Sequence, residues 1–168
     1  KAFNEALQLC LDHNVKLTDA MAEAMTLPKS DNAEDEQYRL DLLRKIAKVA
    51  KDQESYHLAC KKYTQAGDVM KGMKALLRSG DTEKIIFFAN HIRNTEVYNA
   101  TANFLQSTQW ARDNSIFKSI VNFYNKAKNY ESLALFYDTA AQHQIDENRS
   151  YEKAAGLLRE GQKALDKG

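Results

Sequence analysis

One proline and six glycines are spread over 168 residues, and the apolar residues between them recur with a period near 3.6. That combination leaves few folds open. A sandwich or barrel needs a turn every ~8–12 residues, and this chain lacks the turn-formers to supply them. The 22 alanines against 12 valines and isoleucines favour helices over strands, because unbranched small side chains lose little in a helix. With 43% hydrophobic residues, the chain has enough apolar surface for a packed core. The expected fold class is all-α.

The periodicity predicts ten helices, near 2–13, 18–26, 36–52, 55–66, 69–79, 82–92, 95–107, 115–127, 130–143 and 150–165. Gly67-Asp68 and Gly80-Asp81 each offer a left-handed glycine to end one helix and a cap for the next. Thr26–Glu36 holds the sole proline and the acidic run Glu34-Asp35-Glu36, so it reads as an exposed loop with freely hydrated carboxylates. Helices joined by two or three residues form antiparallel hairpins. Ala59-x3-Tyr63-x2-Ala66 has the small-large-small spacing of the second helix of a tetratricopeptide repeat (TPR), with Leu43, Ile46, Ala47 and Ala50 at first-helix positions. The frame recurs as Phe117, Ile120, Val121 and Tyr124 with Leu133-x3-Tyr137-x2-Ala140, partially as Ala154-x3-Leu158-x2-Gly161, and more weakly as Ile85, Ala89 and Ile92. Ser55-Tyr56, Asp81-Thr82, Asn129-Tyr130 and Ser150-Tyr151 mark second-helix starts. A closed bundle could reproduce any one frame, but three copies favour an α-solenoid of antiparallel, TPR-like hairpins, and the uneven spacing marks its repeats as degenerate.

Motifs that carry chemistry are mostly absent. The chain has no phosphate loop, dinucleotide fingerprint, nucleophile elbow or His-Glu-x-x-His motif, and so reads as a non-enzyme with no cofactor. Cys10-x2-His13 and His57-x2-Cys60 have zinc-ligand spacing, but no knuckle turn presents them; Cys60 reads as a small core residue and His13 as a helix-end cap. His91 and His143 read as structural or exposed histidines. Two cysteines make no disulfide framework and favour a reducing compartment. Asn99-Ala-Thr and Asn148-Arg-Ser match a glycosylation pattern of little weight. No run approaches the ~18 apolar residues of a membrane span. The start at Lys1, with neither initiator Met nor signal region, reads as a segment cut from a larger protein.

Charge is uneven beneath the formal net of +1: residues 1–36 carry −5, residues 37–78 carry +6, and residues 79–168 balance. At helical spacing Arg44, Lys48 and Lys51 share a face, as do Lys71, Lys74 and Arg78. These six define either a solvated face or a docking strip for an acidic partner, with RNA or anionic lipid less favoured. Trp110, in the polar connection 107–114, is the candidate aromatic anchor for a partner chain; it could equally plug the gap between flanking helices. Phe87-Phe88, Phe123-Tyr124 and Phe136-Tyr137 read as packing between successive hairpins.

The run Tyr56-His-Leu-Ala-Cys-Lys-Lys-Tyr-Thr-Gln-Ala-Gly67, then Ala75-Leu-Leu-Arg-Ser-Gly-Asp-Thr-Glu-Lys-Ile-Ile-Phe-Phe-Ala89, resembles the C-terminal helical region of the intraflagellar transport protein 140 family, core subunits of intraflagellar transport complex A. The likeness continues through Asn103-Phe-Leu-Gln-Ser107, Trp110, Phe123-Tyr124, Phe136-Tyr137-Asp138 and Ile145-Asp-Glu147, and begins at Leu7-x-Leu-Cys-Leu-x-His-Asn14. The resemblance implies a parent of WD-repeat propellers followed by a TPR-like solenoid, with residues 1–168 one segment of it. It implies a non-catalytic scaffold at the cilium or flagellum and its base, on the cytoplasmic side. The expected partners are other complex A subunits and a Tubby-like adaptor, in retrograde transport and ciliary membrane-protein import; nucleic acid and a direct membrane span are not expected. The segment is also expected to self-associate through uncapped end faces. The rival readings are a vesicle-coat type adaptor and an RNA-binding helical repeat.

Overall fold

The computed structural model describes residues 2–168, and every regular element among them is a helix. In chain order they are α1 (Ala2–Asp12), α2 (Asp19–Ala24), α3 (Ala33–Asp52), α4 (Tyr56–Gln65), α5 (Val69–Ser79), α6 (Thr82–His91), α7 (Thr95–Leu105), α8 (Asn114–Lys126), α9 (Tyr130–Asp146) and α10 (Tyr151–Lys167). The ten helices expected from the periodicity are all present, and the fold is of the all-α, helical-repeat solenoid class. The chain divides into two compact units, residues 1–85 and 86–168.

In the first unit α3 packs on α4 and α4 on α5, with α1 laid against α3. The first-helix positions Leu43, Ile46, Ala47 and Ala50 are all at most 1% exposed, and Ala59, Tyr63 and Ala66 are buried beside them. In the second unit α7 packs on α8, α8 on α9 and α9 on α10. Ile120, Phe123, Tyr124, Leu133, Phe136 and Ala140 form its buried centre. The buried Tyr124 hydroxyl donates to Asn103 Oδ1 at 2.5 Å and accepts from Gln106 at 2.6 Å, so its polar end is satisfied while its ring fills the core. One frame fails in part: Leu158 of the 154–161 copy is 47% exposed, although Ala154 and Gly161 are buried. The aromatic pairs also divide, since Phe87 is 64% exposed.

The corners follow the left-handed device at more positions than glycine alone signals. Gly67 (φ 85) and Gly80 (φ 69) end α4 and α5, but Asn14, Glu54 and Lys128 take the same conformation with φ of 53, 61 and 54. At Glu54 the next amide, Ser55 N–H, donates to Ala50 O at 2.8 Å, and at Lys128 Asn129 N–H donates to Tyr124 O at 3.0 Å. These bonds close the last helical turn and hold a non-glycine residue where it is sterically disfavoured.

The acidic run is not a loop. Asn32 caps α3, its Oδ1 accepting from Glu34 and Asp35 N–H, so Glu34, Asp35 and Glu36 form the first helical turn. There their charges complement the positive end of the helix dipole. Glu36 also accepts from Ser30 N–H at 3.0 Å and pairs with Arg39 at 2.8 Å, which fixes the path of the preceding connection. A second clamp joins distant segments: Gln53 Oε1 accepts from Leu17 N–H and its Nε2 donates to Val15 O, both at 2.7 Å. This pins the 15–17 stretch, where Leu17 is buried.

Two glycines sit where neighbouring helices press close. A Cβ on Gly72 of α5 would lie 2.9 Å from Thr64 Oγ1 and 3.1 Å from the Cys60 carbonyl of α4; one on Gly161 of α10 would lie 3.3 Å from Tyr137 Cβ of α9. Gly72→Ala is therefore expected to lower stability by about 1–3 kcal/mol, because a backbone carbonyl cannot rotate away. Tyr63→Ala, which empties a buried site, should cost roughly 3–5 kcal/mol. Denaturant unfolding of both variants checks this, and a Gly72→Ala protein as stable as wild type would contradict the close approach.

Candidate functional site

The first unit assembles a basic groove from three helices. Lys48 and Lys51 come from α3, Lys71, Lys74 and Arg78 from α5, and Tyr63 of α4 with Ala75 of α5 forms the floor. The groove encloses about 390 Å³. Two stretches separated by twenty residues of sequence thus bring their cations to one place. No carboxylate lies within 4.0 Å of any of the five among the described residues. Arg78 sits over the Tyr56 ring, 5.4 Å from its centroid. The Tyr63 hydroxyl is pushed to higher pKa, first by burial and then by the negative charges of Asp52 and Asp68.

Arg44 departs from the expected strip. Its Nε donates to Asp68 Oδ2 at 2.8 Å and its Nη1 to Asp41 at 3.2 Å, so its charge is met within the fold. Asp68 precedes α5 but makes no capping bond with its side chain, because the carboxylate is turned to Arg44. Arg44 thereby ties α3 to the α4–α5 corner. Its guanidinium is held above its ordinary pKa, chiefly by the Asp68 hydrogen bond.

Lys62 is the cation that sequence reasoning missed. It is fully buried, where its Nζ donates to Glu23 at 3.0 Å, Thr26 Oγ1 at 2.8 Å and Gln65 Oε1 at 3.2 Å. Three acceptors match the three donors of an ammonium, which is what burial of that charge demands. Glu23 also accepts from Lys61 at 2.6 Å. Glu23 lies 39 residues away in sequence, too far for any local pattern to reveal the link.

Trp110 lies in the connection before α8, half-buried, with its ring edge-on to Phe136 at 5.2 Å and His143 at 5.5 Å. These contacts hold the ring against α9. The zinc-spaced residues go to separate tasks. Cys10 and Cys60 are buried thiols, Cys60 pushed up to about 11 by desolvation, and His57 faces Asp81 at 3.4 Å. No three His, Cys, Asp or Glu side chains gather as a metal site among the described residues. Among these residues, no helix is long and apolar enough to cross a membrane.

Stacked hairpins with small buried residues where the helices cross define a helical-repeat protein. The family is more specific. The model of the TPR domain shared by intraflagellar transport proteins 140 and 172 matches residues 1–123, and that of the C-terminal TPR domain of intraflagellar transport protein 140 matches residues 131–168. The chain belongs to this intraflagellar transport TPR family, as a C-terminal region of the protein 140 type, and is a helical-repeat scaffold segment.

The Glu23 contacts generate a pH prediction. Hydrogen bonds from Lys61 and then Lys62 lower its carboxyl from the ordinary 4.5 to about 2. A depressed folded pKa contributes stability that is fully present above the unfolded value and lost as pH falls through the folded one. The window is therefore about pH 4.5 down to about 2. Glu23→Gln should flatten the fall of the unfolding midpoint across that window; an identical slope in both proteins would mean that Glu23 has no part in it.

Proposed function

We propose that this segment is a non-catalytic scaffold of intraflagellar transport complex A, holding partner chains during retrograde ciliary transport and import of ciliary membrane proteins. The observation that carries the reading is the pair of family-model matches, which run from residue 1 to residue 168 with a gap of only seven residues. The second of them is specific to intraflagellar transport protein 140. On this reading the protein acts at the cilium and its base, and its partners are other complex A subunits and a Tubby-like adaptor. The segment would be one part of a longer propeller-plus-solenoid parent.

The groove of Lys48, Lys51, Lys71, Lys74 and Arg78 supports a docking role within that scaffold. Five like charges that face one space with no carboxylate within 4.0 Å among the described residues repel one another, and an acidic segment of another subunit would relieve that repulsion. Arg44 belongs to the brace behind the groove rather than to the docking surface.

The test is recovery of complex A subunits from ciliated-cell extract by the wild-type segment and by a Lys48→Glu/Lys71→Glu/Lys74→Glu variant. The variant should retain the helical signal and melting midpoint but recover roughly tenfold less partner, because like charges would then face each other across the interface. Equal recovery would exclude the groove. Recovery of vesicle-coat components in place of complex A subunits would contradict the scaffold assignment itself, as would salt-sensitive RNA binding at physiological ionic strength.

A further inference from the structure

The second unit contains a different groove, independent of the basic one. It encloses about 440 Å³ between the connection before α8, the C-terminal half of α9 and the N-terminal half of α10. Trp110, Phe117 and Leu157 give it an apolar wall, and Arg112, His143 and Lys153 give it a polar rim. No aspartate or glutamate is among its lining residues. Arg112 and Lys153 are exposed, and neither has a carboxylate within 4.0 Å among the described residues.

Gly156 points the same way. It lies inside α10, where glycine weakens a helix relative to alanine and calls for a reason. Gly72 and Gly161 have one, since a Cβ at either would press on the neighbouring helix. A Cβ on Gly156 would meet nothing within 4 Å, yet Gly156 lines this groove. The missing side chain serves no internal packing, and the groove is open at that point. The rings around it are already ordered, because Trp110 is held edge-on by Phe136 and His143 and Phe117 lies 5.2 Å from Phe136. A preformed aromatic wall beside an open floor costs little to occupy.

We propose that this groove binds an acidic peptide segment of a partner protein through one large apolar side chain. That side chain seats over Gly156 against Trp110 and Leu157, and flanking carboxylates pair with Arg112 and Lys153. Trp110 is thus a wall of the site rather than a residue that reaches into a partner's pocket.

Trp110 is the only tryptophan in the chain, so its emission reports directly on the groove. The probe is acetyl-Glu-Asp-Leu-Phe-Glu-Asp-amide, which contributes no tryptophan or tyrosine signal, titrated by emission and by calorimetry. Binding should be saturable, be lost when the peptide Phe is replaced by Ala, and weaken about tenfold or more in an Arg112→Glu/Lys153→Glu variant. Gly156→Leu should fill the floor and abolish binding while keeping or raising the melting midpoint; Gly156→Ala should raise the midpoint and still bind. Absence of binding by both methods at about millimolar peptide, far above a useful affinity, would overturn the proposal. So would wild-type affinity in folded Gly156→Leu or in Arg112→Glu/Lys153→Glu.

Discussion

Two helix backbones can approach closely only where a side chain is missing, and the packing seams of both units follow from that constraint. Gly72 lets α5 settle onto the Cys60–Thr64 turn of α4, and Gly161 does the same for α10 against α9. Alanines at 47, 50, 59, 66, 134 and 140 extend the effect, all buried. Because the seams are thin, large residues such as Tyr63, Tyr124 and Phe136 fill the spaces beside them instead of the crossings. Each hairpin then fits its neighbour in one register, and the polar faces are left for other tasks.

Charge placement follows from that register. Arg44 can brace α3 to Asp68 because the α4–α5 corner is brought within hydrogen-bond reach, and the same packing sets Lys48 and Lys51 opposite Lys71, Lys74 and Arg78. Lys62 makes the contrast clear. The buried Lys62 has every donor met, whereas the groove lysines have no carboxylate within 4.0 Å among the described residues. The fold tolerates the second arrangement because those side chains reach water, where like charges cost little. Docking of an acidic segment would use what folding leaves unpaired.

Helix positions are readable in the sequence because apolar periodicity and corner residues are local properties. Gly67 and Gly80 announce their corners, and the 43–66 frame picks out seven buried residues. What escapes is non-local or depends on a neighbour. Glu34-Asp35-Glu36 looks like a hydrated loop by its composition, and only the Asn32 cap converts the run into a helix start. Glu54 and Lys128 carry no mark of a left-handed corner, since the bonds of Ser55 and Asn129 impose it from the following residue. Lys62 and Arg44 have partners 36 to 39 and 24 residues away, beyond any spacing rule. The candidate strip is legible as two helical faces; that they line one groove, and that Arg44 is withdrawn from it, comes only from the packing.

Central to the proposed scaffold is that its unpaired cations meet an acidic partner. Zero-length carbodiimide coupling in the intact transport complex, read by mass spectrometry, can decide this, because the reagent joins amines only to carboxylates in salt-bridge contact. The predicted result is that Lys48, Lys71 and Lys74 couple to aspartate or glutamate of another chain, while the exposed Lys61 couples within its own chain to Glu23. If the groove lysines couple to nothing and react with small amine reagents as fast in the complex as in the free segment, the groove faces solvent and the docking proposal is wrong.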